Sequence, residues 1–195
     1  MNFRSLLLPA IACLVIAGSA HAAPQINGRQ LTIGAADVQQ YLDGSFPRTQ
    51  KALGGLLALN VSQPRLTLPA GSRLDLNFDL AMSAAGSASM PVGNIHISSG
   101  LRYDAQTRGF HLEQPTIDDF RPAMAGAELD ASTRSLLNSW LVDYARREPI
   151  YRIDPAIANV MGALQVKSVG IQDGRIAVDF NQNLGSFLPA GLPGN

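Results

Sequence analysis

Residues 73–82 read Arg-Leu-Asp-Leu-Asn-Phe-Asp-Leu-Ala-Met, and this stretch is the clearest strand in the sequence. Apolar side chains recur at every second position from Leu74 to Met82, and polar side chains fill the alternate positions from Arg73 to Asp79. Because successive side chains of a strand point to opposite faces, this alternation predicts a β-strand with one buried and one solvated face. A sheet that is solvated on one face is typical of antiparallel pairing.

Further strands are predicted on both sides of this stretch. In the hairpin that follows it, we expect Tyr103 to pair with Phe110. The same register places Leu101 opposite Leu112 on one face, whereas a slip of one residue would mix the two faces. The ranges with strand character are 30–33, 57–61, 94–103, 109–117 and 166–180.

Apolar residues at helical spacing predict three helices. The clearest spans residues 129–147, with Asp130 or Ser132 as candidate N-cap, and shorter helices are expected around Val38 and after Pro155. The order of strand, helix, antiparallel strands, two helices and a final hairpin predicts the α+β class. The apolar stripe of the long helix consists of Leu136, Leu137, Trp140, Leu141 and Tyr144.

Residues 1–22 have the three parts of a secretory signal peptide. Arg4 supplies a positive charge, residues 6–17 are apolar, and Ala20-His21-Ala22 is a small-x-small cleavage signal. We therefore expect cleavage after Ala22 and export to the periplasm. The apolar run is too short for a transmembrane segment, and none is expected elsewhere.

The remaining residues, 23–195, are expected to form a single α+β domain. Its Gly- and Pro-rich end, residues 184–195, is expected to be a loose tail. Cys13 lies in a faint lipoprotein-like box, but cleavage there would leave an apolar run exposed beyond the lipid. We therefore do not expect a lipid anchor at Cys13.

Composition and charge exclude several classes of protein. The chain has 195 residues, of which 46% are hydrophobic and 15% are charged, so a disordered protein is excluded. Its formal net charge is zero, which gives no general attraction to nucleic acid, and we expect no nucleic-acid partner. The chain contains one cysteine, Cys13, so no disulfide is expected in the exported protein.

Residues that could carry catalysis or hold a metal are sparse. Beyond the signal segment the histidines are His96 and His111. In the register above, His111 faces Arg102 and His96 lies near Ile117, so the two histidines cannot share an ion without a different pairing. We expect both to lie on the solvent face of the sheet. The sequence has no nucleophile elbow and no phosphate-binding loop, so we expect neither an enzyme nor a bound cofactor or metal.

Two stretches resemble the YceB-like bacterial envelope proteins, a domain of unknown function. One combines Gly-Leu-Arg-Tyr-Asp at 100–104 with residues 110–117, and the other combines 149–153 with 169–180. The resemblance implies a curved antiparallel sheet wrapped around a long helix in the C-terminal half, similar to the tubular lipid-binding (TULIP-like) proteins. It supplies no catalytic residues.

In the implied fold, the apolar face of the sheet and the apolar stripe of the long helix face each other. If the two surfaces close, they form an ordinary core; if they stay apart, they form a groove for an acyl chain. The sequence leaves both outcomes open. The candidate groove residues are Leu74, Leu76, Phe78, Leu80, Leu136, Leu137, Trp140, Leu141 and Tyr144.

The function expected from this groove is non-catalytic binding of a lipid or another hydrophobic ligand. The alternative is an envelope assembly protein that holds a segment of a partner protein and takes no small-molecule ligand. Both alternatives stay open at this point.

Overall fold

The structure is a computed structural model that describes residues 24–184 except 86, 125, 127 and 163. The predicted signal peptide with Cys13 and the predicted loose tail beyond residue 184 therefore lie outside the described residues. The strands are β1 Gln25–Asn27, β2 Gln30–Gly34, β3 Arg48–Ala52, β4 Leu57–Thr67, β5 Leu74–Ala84, β6 Met90–Asp104, β7 Gly109–Pro122, β8 Tyr151–Arg152, β9 Val166–Gln172 and β10 Arg175–Phe180. The helices are α1 Ala35–Ser45, α2 Ala131–Arg147 and α3 Pro155–Gly162.

The antiparallel strands form two sheets, whereas the family resemblance implied one curved sheet. One sheet has the order β1-β2-β10-β9, and the other has the order β3-β4-β5-β6-β7-β8. The four-stranded sheet forms because the final hairpin pairs with β2. This pairing sets Val178 opposite Leu31 and Ile176 opposite Ile33. These apolar pairs bury one face in the shared core. The α+β class with antiparallel pairing is confirmed.

The predicted strand registers are confirmed. In the β6–β7 hairpin, Leu101 lies opposite Leu112 and Tyr103 lies opposite Phe110. The final hairpin turns at Asp173-Gly174, where both residues have positive φ, as a tight two-residue turn requires.

Helix α2 begins at a side-chain cap. The Asp130 carboxylate accepts a hydrogen bond from the Thr133 backbone N–H at 2.9 Å, so Asp130 rather than Ser132 is the N-cap. Arg146 and Arg147 lie in the last turn, where positive charge interacts favourably with the helix dipole. The helix packs its apolar stripe against the six-stranded sheet, and both sheets and the helices share one hydrophobic core.

The edge strand β3 was not predicted. Its sequence, Arg-Thr-Gln-Lys-Ala, has no apolar alternation, but its backbone pairs with β4 from Arg48 opposite Val61 to Ala52 opposite Leu57. An edge strand can be polar because backbone hydrogen bonds, rather than side-chain burial, hold it in place. Within the described residues, no helix is long and apolar enough to cross a membrane.

Candidate functional site

The structure brings the candidate groove residues of the sheet and the helix together in one hydrophobic core. The four sheet residues are buried, and so are the helix residues except Leu136, which is half-buried. Over most of their length the two apolar surfaces are therefore in contact and form core. That these residues bind a ligand stays a prediction.

An aromatic cluster closes the space between α2 and β5. The Phe46 ring lies 5.3 Å from that of Phe78 and 5.7 Å from that of Tyr144, measured between ring centroids. Trp140 stacks on Tyr144 at 5.4 Å. Phe46 was not among the predicted groove residues. It follows α1 directly, and no local pattern indicates that it packs beneath a helix that begins 85 residues later in the chain.

An apolar recess of about 320 Å³ remains beside this core, near the start of α2. Its volume is at the lower end of the range for small-molecule sites. Of the predicted groove residues, Leu136 lines it. Its lining residues are Leu53, Leu57, Met82, Ser132, Thr133, Ser135, Leu136 and Ser139.

Four large apolar side chains gather at the end of the sheet where the recess opens. Each is between 61% and 69% exposed, and we call them the apolar rim: Leu53, Leu56, Met90 and Met124. Strand pairing places them at the same end of the sheet, since β4 begins where β5 ends, β6 begins opposite that end, and β7 ends beside the start of β6. Isolated exposed apolar side chains are ordinary, but a group of them at one edge is typical of an interaction site.

A polar pocket of about 220 Å³ lies further along α2. Two ion pairs line it: Arg48 on β3 to Glu148 at the end of α2, with 3.3 Å between Nη2 and Oε2, and Arg147 to Asp143 within α2, with 3.5 Å between Nη2 and Oδ1. The lining residues are Arg48, Thr49, Gln50, Trp140, Asp143, Tyr144, Arg147 and Glu148. This pocket was not predicted, because three of its eight lining residues belong to β3, which was not predicted either.

The Tyr144 hydroxyl is the unsatisfied group of this pocket. It is buried and has no hydrogen-bond partner among the described residues. Burial raises the pKa of the Tyr144 hydroxyl far above its usual value, against the smaller lowering by the Arg48 charge, so the group keeps its proton. A buried hydroxyl without a partner costs about 1–3 kcal/mol.

The expectation that both histidines face solvent is wrong for His111. Its side chain is fully buried, and Nε2 lies 2.7 Å from the Thr107 hydroxyl. The end of α2 covers this face of β7, where Arg102 donates to the Ala145 carbonyl. His96 is half-buried, with 3.6 Å between its Nε2 and Asp75 Oδ1. No group of three or more potential metal ligands occurs in the described part of the chain.

Comparison with known proteins identifies no family for this chain. No protein-family model and no curated protein sequence matches it. A solved chain described as "Crystal structure of lipopolysaccharide binding protein" is 13% identical, with a TM-score of 0.32, over 77% of this chain. The match covers 42% of that protein. A similarity this distant assigns neither fold nor ligand, and the resemblance to YceB-like proteins stays a prediction.

Proposed function

We propose that this protein binds a lipid or another hydrophobic molecule without transforming it, with the apolar chain of the ligand in the apolar recess. The proposal rests on the position of the recess. It lies beside the main core, half-buried Leu136 forms part of its wall, and exposed Leu53 stands both in its lining and in the apolar rim.

Burial of methylene groups provides the driving force. Each buried methylene contributes about 0.8 kcal/mol, so a chain that buries about eight of them gains about 6 kcal/mol before association costs. A dissociation constant of 1 µM corresponds to about 8 kcal/mol. The recess alone therefore supports weak binding, and additional contacts are needed for micromolar affinity.

The apolar rim supports the same proposal. A hydrophobic ligand leaves a membrane or micelle more readily where apolar protein surface meets it at the mouth of the site. The periplasmic location that goes with this proposal is supported by the pattern of residues 1–22, which lie outside the described residues.

Filling the recess tests the proposal. Ser139 is exposed and lines the recess, so Ser139→Phe places a ring there without disturbing the core. Asn138→Phe, at the neighbouring exposed position outside the recess, is the matched control. We expect Ser139→Phe to abolish the uptake of a fatty acid and of a monoacylglycerol, whereas Asn138→Phe should leave uptake unchanged. Native mass spectrometry measures the ligand bound to each variant. The bound molecule should be recovered with its mass unaltered.

Two results would overturn the proposal. One is a protein that is purified without a ligand and takes up neither probe. The other is crosslinking in cells that traps a defined protein partner while uptake is absent, which would favour the envelope assembly alternative.

A further inference from the structure

The recess and the polar pocket lie end to end along one side of α2. Leu136 and Ser139 line the recess, whereas Asp143 and Arg147 line the pocket. Steps of three and four residues place these side chains on one helix face. With a rise of about 1.5 Å per residue, Leu136 and Arg147 are about 16 Å apart along the axis. The two cavities therefore lie in line along α2, with the lining of the recess reaching Ser139 and that of the polar pocket starting at Trp140.

The chain segment that faces α2 across these cavities also changes from polar to apolar along its length. Arg48, at the start of β3, lies in the polar pocket, and Leu53, just after its end, lies in the recess. Because α2 and the segment from Arg48 to Leu53 each contribute to both cavities, the change from polar to apolar is built into two separate chain segments. An extended amphiphile has the same polarity from chain to head group.

The polar end carries two positive and two negative side chains. Arg48 is paired with Glu148, and Arg147 is paired with Asp143. All four side chains are between 38% and 69% exposed, and ion pairs at this exposure contribute little to stability. A ligand can therefore open either pair at small cost, and it meets both signs of charge.

The buried Tyr144 hydroxyl is the second, independent observation. It lies close enough to Arg48 and Glu148 for both charges to act on its pKa, and it has no partner within the described range. When a ligand oxygen separates Arg48 from Glu148, the hydroxyl gains an acceptor.

We propose that the polar pocket binds the zwitterionic head group of a phospholipid-type amphiphile, with the phosphate at Arg48 and Arg147 and the ammonium at Asp143 and Glu148. This rests on the proposed function, since the chain occupies the recess. A purely anionic head group has no positive group to pair with the two carboxylates of the pocket. An uncharged head group cannot replace the partners that the four charged side chains lose when the ion pairs open.

The test compares four probes that share one acyl chain. They are a monoacyl phosphoethanolamine, a monoacyl phosphoglycerol, a fatty acid and a monoacylglycerol. Trp140, the one tryptophan of the chain, lines the polar pocket, so its fluorescence reports occupancy of the head-group end. We expect the phosphoethanolamine probe to bind about tenfold more tightly than each of the others. Free phosphoethanolamine, added alone, distinguishes a head-group site from a lipid site and should not bind at the concentrations that saturate the lipid probe.

Charge-removing variants complete the test. Arg48→Gln combined with Arg147→Gln should lower the affinity for the phosphoethanolamine probe to that for monoacylglycerol and leave monoacylglycerol binding unchanged. The control is Arg121→Gln, at an arginine whose side chain is 82% exposed and lies outside the pocket. Equal affinity for all four probes, or an equal loss for all four in the double variant, would overturn the head-group proposal.

The two proposals fail separately. If monoacylglycerol binds and Ser139→Phe removes it, the recess is a chain site whatever the head-group result. If no acyl probe binds, the proposed function is wrong and the head-group proposal falls with it.

Discussion

The indole of Trp140 on α2 meets the ring of Phe78 on β5 edge-on, with 5.9 Å between ring centroids and 85° between planes. This contact joins the helix stripe to the sheet face at the centre of the predicted groove. Aromatic pairs in this geometry are stabilising beyond the area they bury. At this point the helix and the sheet are in contact, and the two cavities lie beside the contact, the recess lined as far as Ser139 and the polar pocket lined from Trp140 onward.

Replacing Trp140 should reduce stability strongly. We expect Trp140→Ala to lower the free energy of unfolding by about 3–5 kcal/mol, because it removes a buried ring from the contact with Phe78. Urea unfolding followed by circular dichroism measures the change. Val142→Ala, at an exposed position of the same helix, should stay within about 0.5 kcal/mol. A small loss of stability in Trp140→Ala, together with loss of ligand uptake, would instead show that Trp140 lines a ligand-binding site.

Two leucines of the predicted groove should differ in their effect. Leu76 is fully buried in the core, so Leu76→Ala should cost about 2–5 kcal/mol. Leu136 is half-buried on the recess, so Leu136→Ala should cost about 1 kcal/mol and shift the preferred ligand toward a longer or bulkier chain. Thermal unfolding and a series of fatty acids of increasing length measure the two effects. Equal destabilisation by both changes would mean that Leu136 belongs to the core.

Gly109 should not accept a side chain. A Cβ at this position would lie 2.7 Å from Pro149 Cβ and 2.8 Å from the Tyr151 carbonyl oxygen, where β7 and β8 pair. We expect Gly109→Ala to cost about 1–3 kcal/mol. Gly44→Ala is the matched control, since a Cβ in α1 meets nothing within 4 Å and should stabilise the protein by up to about 1 kcal/mol. Similar unfolding midpoints for the two variants would contradict this assignment.

Stability should fall on mild acidification because of His111. Burial lowers the pKa of the His111 imidazole below its usual 6.5, and the Arg102 charge lowers it further. Above the unfolded-state pKa this group leaves stability unchanged. As the pH falls below 6.5, the unfolded chain binds the proton first, and stability is lost until the pH passes the lower folded-state pKa.

The measurement is the free energy of unfolding between about pH 5 and pH 8. The free energy of unfolding of His111→Gln should lack this part of the pH dependence. That of His96→Gln, a change at a half-buried position beside Asp75, should retain it. Parallel pH profiles for the native protein and His111→Gln would show that another group titrates in this window.

Much of the fold was predictable because its signals are local. The alternation from Leu74 to Leu80 was sufficient to assign the buried face of β5, and turn chemistry at Asp173-Gly174 was sufficient to assign the last hairpin. His111 was assigned to the wrong environment because alternation assumes one open face. The end of α2 covers that face of β7, and this contact is not visible in the local pattern.

The candidate site was predictable only in part, and for the same reason. The sequence by itself determined which faces of β5 and α2 are apolar, since side-chain direction follows from the period of strand and helix. The tertiary structure alone decided that Phe46 fills the space beneath Tyr144 and that polar β3 joins the sheet beside α2. Both depend on chain segments about 80 residues before the start of α2, so the volume left between sheet and helix follows from how distant segments pack.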